Sequence, residues 1–237
     1  MRTVALVGPT AAGKSTICEA LAQTAAVSVL ACDDFYKPHH ICPTFELGAL
    51  PWPRHTVPAP FAERGSADLN APDAIDWERL CEAIRERQRE ITALHSDLEQ
   101  APTLLVEGHL LLSEHPGAAA ARALYSHLAI IDADDADRRA MDALLRRKWV
   151  RSHWGKRSYR DRGVTEDEYV AYWDHYVWPA WKANKSAPAP ADSLQLDAMQ
   201  PVEENVQRLL STGWFPSKPR IDQLPDVLAV DSLQIPQ

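Results

Sequence analysis

The sequence predicts an α/β protein built on a five-stranded, mostly parallel sheet. Two observations support this fold class. Five short apolar runs alternate with helical patterns along the 237 residues, which is typical of parallel sheets with right-handed crossover connections. A glycine-rich loop also stands between the first apolar run and the first helical pattern. The predicted strands are Val4–Val7, Val27–Ala31, Thr103–Val106, His127–Ile131 and Leu194–Leu196.

Helical patterns fill most of the connections between these strands. The predicted helices are Ser15–Thr24, Asp76–Leu98, one with an acidic start after Ile131, Tyr169–Trp181 and Pro201–Leu210. Residues 39–69 are proline-rich and aperiodic, which indicates either a substrate-binding loop or a disordered insert. We expect one domain over 1–212 with a substrate-side insert at 39–69 and a basic lid at 138–165. A loosely packed or disordered proline-rich tail is expected at 213–237.

The glycine-rich loop carries the pattern G-x-x-x-x-G-K-[ST] between a strand and a helix. Its glycines allow a tight turn whose backbone N–H groups point at phosphate oxygens, and the helix start adds a positive dipole. In such loops the lysine, here Lys14, reaches the β- and γ-phosphates, and the hydroxyl of Ser15 binds Mg²⁺. The sequence therefore predicts a three-layer fold of the P-loop NTPase type that binds ATP with Mg²⁺. The predicted nucleotide-binding residues of the loop are Gly8, Pro9, Thr10, Ala11, Ala12, Gly13, Lys14, Ser15 and Thr16.

Acidic residues stand at the ends of two other predicted strands. Asp33 and Asp34 follow the second strand, and Glu107 closes the third. The carboxyl ends of parallel strands meet at one edge of a sheet, so we expect these carboxylates beside the loop. Phosphoryl transfer needs a proton acceptor and a metal-holding carboxylate, and Asp33 and Glu107 are the respective candidates. Asp33 and Lys14 are thus the predicted catalytic residues.

Each of these acidic residues also has a purely structural interpretation. Asp33 could belong to an ordinary polar turn at a strand end, and Glu107 could cap a helix. Asp34 either shares the work of Asp33 or caps the next element.

A strongly basic stretch runs from Arg138 to Arg162, opposed only by Asp142 and Asp161. A solvated helix face is the usual explanation for such a run. Because the rest of the chain is acidic, we favour a lid whose arginines clamp the transferring phosphate.

The charge balance limits the expected partners. A formal net charge of −8 argues against a general nucleic-acid or membrane-surface binder. No apolar stretch reaches transmembrane length, and the first strand begins too early to leave room for a signal peptide. The four cysteines lack metal or redox spacing and fit reduced thiols. We expect a cytoplasmic monomer or homodimer that binds ATP and a small molecule.

Three motifs beyond the loop stand out in the sequence. They are Asp33-Asp34-Phe35-Tyr36-Lys37-Pro38, Val106-Glu107-Gly108-His109-Leu110-Leu111 and His175-Tyr176-Val177-Trp178-Pro179. Together they resemble the nicotinamide riboside kinases, within the uridine kinase-like group of P-loop kinases. The resemblance spans roughly Thr3 to Leu210, without the insert and the tail. It implies an ATP-dependent kinase that phosphorylates the 5′-hydroxyl of nicotinamide riboside.

The resemblance also implies roles for individual residues. Asp33 is implied to take the proton of the ribose 5′-hydroxyl, and Ser15, Asp33 and Glu107 to surround Mg²⁺. Arg147 and Arg151 are implied to contact ATP, with Arg138-Arg139 as the alternative match. The implied substrate-binding residues are Asp33, Asp34, Phe35, Tyr36, Asn70 and Lys148.

Asn70 departs from the family pattern, which has an aspartate that holds the ribose hydroxyls. An amide still hydrogen-bonds a diol, although without the charge assistance of a carboxylate.

Two alternatives stay open at this point. The first is another kinase of the same group, acting on uridine or cytidine, pantothenate or a sugar phosphate. The stretch from Glu82 to Pro102 lacks the tyrosine that uridine kinases carry there, whereas Arg160-Asp161-Arg162-Gly163 is similar to theirs. The second alternative is a non-catalytic protein that binds nucleotides or RNA.

Overall fold

The computed structural model describes residues 1–44, 67–95, 101–133, 138–150, 158–185 and 189–218. Most of the predicted insert, the lid segment that contains Arg151 and most of the predicted tail lie outside these ranges. Within the described residues, no helix is both long and apolar enough to cross a membrane.

The centre of the fold is a five-stranded sheet in the order β2-β3-β1-β4-β5. Every neighbouring pair of strands is parallel, which confirms the predicted α/β fold class. Strands β1 and β3 are buried along their whole length because helices cover both faces of the sheet. The strands are β1 Thr3–Val7, β2 Val27–Ala31, β3 Thr103–Gly108, β4 His127–Asp132 and β5 Leu194–Asp197.

The helices connect successive strands in two layers. They are α1 Lys14–Thr24, α2 Trp77–Leu94, α3 Pro116–Arg122, α4 Arg138–Val150, α5 Glu166–Tyr172, α6 Trp178–Asn184 and α7 Val202–Ser211. The connection from β1 to β2 runs in one direction across the sheet, whereas the connections from β2 to β3 and from β3 to β4 run in the other. With right-handed crossovers, α1 therefore lies on one face of the sheet and α2 and α3 on the other. In agreement, α1 contacts α7 and α2 contacts α3.

The elements differ from the predictions in two places. The predicted helix Tyr169–Trp181 is divided by a π-helical turn, Trp173–Val177, which separates α5 from α6. Helix α3 was not predicted, because its seven residues are too short to show a clear helical period. Most aromatic side chains of the divided helix are core residues, and Tyr169, Trp173 and Trp181 are among the largest fully buried ones. Tyr172 and Tyr176 are half-buried.

The first residues of the predicted tail pack against the sheet. The ring of Trp214 stacks on His127 at 4.6 Å, and Phe215 is buried. The backbone N–H of Ala26 donates to the carbonyl of Pro216 at 2.9 Å. The chain up to Ser217 is therefore part of the folded body, contrary to the expectation of a loose tail, because Phe215 is buried there and Trp214 is half-buried against His127.

Candidate active site

The sheet register brings three strand ends to one place. Val7 pairs with Gly108, and Ala31 pairs with Glu107. The loop after β1, the turn after β2 and the end of β3 therefore meet at the carboxyl edge of the sheet. Ligands of open α/β sheets bind at this edge.

The phosphate-binding loop has the backbone shape that its sequence predicts. Gly13 has a φ of 87°, and Ala11 also lies in the left-handed region with a φ of 70°. The Nζ atom of Lys14 donates to the carbonyls of Gly8 and Pro9, at 2.9 Å in both cases. Burial lowers the pKa of Lys14, while the nearby carboxylates of Glu107 and Asp33 oppose that shift. A buried cation thus lies at the base of the loop.

Ser15 and Glu107 bring a hydroxyl oxygen and a carboxylate together. The hydroxyl of Ser15 donates to Oε1 of Glu107 at 2.9 Å, across two elements far apart in sequence. Burial raises the pKa of Glu107, and Lys14 partly offsets this effect. Hydroxyl and carboxylate oxygens suit Mg²⁺, which takes few protein ligands at nucleotide sites and completes its shell with phosphates and water. The two side chains therefore fit the predicted metal.

Asp33 lies in a short 3₁₀ turn, Cys32–Phe35, that begins directly after β2. Its side chain is exposed, and its charge acts on Lys14, Glu107 and His109. The predicted proton acceptor is thus within electrostatic reach of the loop lysine and of the metal-site carboxylate.

The two residues after Asp33 differ in exposure. Asp34 is exposed, whereas Phe35 is buried in the core with the guanidinium of Arg79 at 5.3 Å from its ring. This position favours a packing role for Phe35. The hydroxyl of Tyr36 donates to the carbonyl of Leu69 at 3.0 Å, so Tyr36 holds the end of the predicted insert.

A network of hydrogen bonds holds Asn70, one of the predicted substrate-binding residues. Its backbone N–H donates to Asp68, and its carbonyl accepts from Nδ2 of Asn184 at 2.8 Å. Tyr176, in the π-helical turn, hydrogen-bonds to Asp68, and burial together with this carboxylate raises the pKa of Tyr176. Single π-helical turns are frequent at functional sites. This one connects α5 and α6 to the segment that presents Asn70.

The predicted lid residues separate into two groups. The charge of Lys148 acts on Lys14 and Glu107, so it reaches the site. Arg147 borders a cavity beside the loop. Arg146 instead forms an ion pair with Glu166. Arg151 lies outside the described residues.

The cavity at Arg147 was not predicted from the sequence. It has a volume of about 630 Å³ and extends from the loop and α1 to the connection between β5 and α7. Its lining includes Gly13, Thr16, Met199, Pro201 and Arg147. The β5–α7 connection carries no recognisable motif, so only the folded structure shows that it lies beside the loop. Its size is in the range of ligand pockets.

The sequence did not single out His109 as a site residue, although it stands in one of the three motifs. Burial lowers its pKa to about 4, and the nearby charge of Asp33 opposes that shift. Its atom Nε2 is buried and hydrogen-bonds to no described residue. Burial depends on tertiary packing, so the motif alone could not reveal it.

No family model and no curated protein matches the chain. Solved structures do match. A candidate fructose transport system kinase from Silicibacter sp. is 21% identical, with a TM-score of 0.47, over 82% of this chain and 88% of that one. A sugar kinase from Janibacter sp. is 15% identical, with a TM-score of 0.49, over 89% and 93% of the two chains. A shikimate kinase from Bacteroides thetaiotaomicron is 15% identical, with a TM-score of 0.45, over 89% and 97%. The strand order of the chain itself defines its fold.

Proposed function

We propose that the protein is an ATP-dependent kinase that transfers the γ-phosphoryl group to a hydroxyl of a small molecule. The observation that carries the proposal is the 2.9 Å contact between Ser15 and Glu107, with Lys14 and Asp33 within electrostatic reach. A phosphate-binding loop alone would support nucleotide binding. The added carboxylates supply the metal-holding and proton-accepting groups that transfer requires.

Each residue has a defined task in this scheme. The backbone N–H groups of the loop and the ammonium of Lys14 bind the β- and γ-phosphates and stabilise the charge of the transition state. Asp33 orients the acceptor hydroxyl and takes its proton. Ser15 and Glu107 would hold Mg²⁺, which neutralises phosphate charge when bound. The 630 Å³ cavity beside the loop would receive the nucleoside part of ATP, with Arg147 at its edge.

Nicotinamide riboside is our first choice of acceptor. Its support is the resemblance of the three motifs, including the one that contains Tyr176. The hydrogen bond from Tyr176 to Asp68 supports it further, because it links this motif to the segment of Asn70, the position at which the family holds the ribose hydroxyls.

The test is acceptor-dependent release of ADP from Mg·ATP, measured with a panel of acceptors. The panel contains nicotinamide riboside, uridine, cytidine, pantothenate, fructose, gluconate and shikimate. We expect nicotinamide riboside to give the highest kcat/KM. If another compound does, the kinase proposal stands and the acceptor changes. If none releases ADP above the rate without acceptor, the kinase proposal is refuted.

Asp33→Ala is the matched variant for this assay. It should abolish transfer and leave the Kd of ATP, measured by calorimetry, nearly unchanged, because Asp33 acts on the acceptor. Asp192→Ala is its control, since Asp192 is likewise exposed but lies just before β5, at the amino end of the strands. Retained transfer in Asp33→Ala would remove Asp33 from the proton-accepting role.

A further inference from the structure

The position of His109 is fixed by a close approach of two strand ends. His109 follows Glu107 and Gly108 at the end of β3. A Cβ atom on Gly108 would lie 2.6 Å from the Cβ of Cys32, so only glycine allows β3 to approach the turn after β2 this closely. Cys32 is itself buried and directly precedes Asp33. The backbone of His109 is therefore held beside the candidate proton acceptor.

The imidazole ring lies between the reacting groups and the substrate-side segment. Its centroid is 6.5 Å from that of Tyr36, and the ring hydrogen-bonds to the backbone of Leu69. The charges of Asp33 and Lys14 both act on the ring. His109 therefore lies between the site of phosphoryl transfer and the segment that contains Asn70.

Two buried polar atoms in this region hydrogen-bond to no described residue. One is Nε2 of His109, and the other is Nδ2 of Asn70, the residue after Leu69. Asn70 is only 6% exposed. Buried polar atoms are usually paired, and because these two lie on adjoining segments, both are available to pair with one ligand. Imidazole nitrogen and amide N–H both pair with hydroxyl groups.

We propose that His109 binds a second hydroxyl of the acceptor and thereby sets the position of the reacting hydroxyl relative to Asp33. The inference rests on the proposed function, since it requires an alcohol acceptor. Asn70 binds a further polar group of the same molecule. The site accordingly selects a polyhydroxylated acceptor and discriminates against analogues that lack one hydroxyl.

The test compares wild type with His109→Leu and His109→Gln at saturating Mg·ATP. The acceptors are nicotinamide riboside and its 2′-deoxy and 3′-deoxy analogues, or the deoxy analogues of whichever panel compound is most active. His109→Leu should raise the KM of the full acceptor about tenfold, as the loss of one hydrogen bond does, with the KM of ATP unchanged. His109→Gln should recover part of the loss, because its amide can pair with a hydroxyl.

The deoxy analogues distinguish a hydrogen bond from a packing effect. Wild type should discriminate against one of them by about tenfold. His109→Leu should lose that discrimination, because once one partner of a contact is removed, removing the other costs nothing further. His127→Leu is the control, because His127 lies at the opposite, amino end of β4 and stacks on Trp214. It should alter neither KM nor discrimination.

Three results decide between the possibilities. If His109→Leu keeps the wild-type KM and still discriminates against the deoxy analogue, the inference is wrong while the kinase proposal stands. If wild type transfers to no acceptor in the panel, both are overturned. If His109→Leu does not fold, wild type decides: equal kcat/KM for the full acceptor and for both deoxy analogues would refute the role.

Discussion

Glu107→Gln should separate the activity of the site from the stability of the fold. In the wild type the Ser15 hydroxyl lies 2.9 Å from Oε1 of Glu107. The glutamine keeps the size of the side chain and an oxygen that accepts from Ser15, but it removes the buried charge. Loss of one preorganised electrostatic group typically lowers kcat by about 10²–10³-fold. We expect a loss of this order, together with a higher Mg²⁺ concentration for half-maximal rate.

The same substitution should raise the stability of the protein without nucleotide. Burial raises the pKa of Glu107 above its value in the unfolded chain. Its contribution to stability is therefore complete below the unfolded pKa and is lost as the pH rises through the folded pKa. The glutamine does not ionise, so the variant should melt at a higher temperature than wild type at pH 7 and lose that advantage at acidic pH. One kcal/mol corresponds to about 2–4 °C in a chain of this size.

Scanning fluorimetry between pH 4 and 8, with and without Mg·AMP-PNP, measures the stability of both proteins. The ADP-release assay measures kcat and its dependence on Mg²⁺. At a hundredfold excess over Kd the ligand stabilises wild type by about 2.7 kcal/mol, and the variant should gain less. Ser113→Ala is a control in which a buried polar group outside the site is removed. A Glu107→Gln variant with wild-type kcat and Mg²⁺ dependence would refute the metal role, and a stability difference that does not vary with pH would refute the electrostatic reasoning.

Two further substitutions test the nucleotide and acceptor sides. Arg147→Ala should raise the KM of ATP about tenfold without changing the acceptor KM. Arg146→Ala should change neither KM, because Arg146 pairs with Glu166. Equal effects of the two substitutions would contradict the assignment of the cavity to ATP. Asn70→Asp should lower the acceptor KM, because it restores a charged partner for a diol. It should also lower the melting temperature, because the residue is only 6% exposed and the new charge is buried. An unchanged KM would mean that position 70 faces away from the acceptor.

Local sequence patterns are sufficient to establish the fold class and the glycine-rich loop. The five strands and the segment from Gly8 to Thr16 could be predicted because both are encoded locally, by apolar runs and by glycines at fixed spacing. The side chains at strand ends were found for the same reason. Asp33 and Glu107 follow apolar runs, and parallel strands end at one edge of the sheet.

Which side chains are buried, and which segments distant in sequence meet, depends on how the chain packs. The register of β3 against β1 and β2 sets the contact between Ser15 and Glu107. Packing buries Phe35 and leaves Nε2 of His109 without a partner among the described residues. The cavity between α1 and the β5–α7 connection also arises only from packing. These features depend on contacts between residues far apart in the chain, and local sequence patterns carry no information about such contacts.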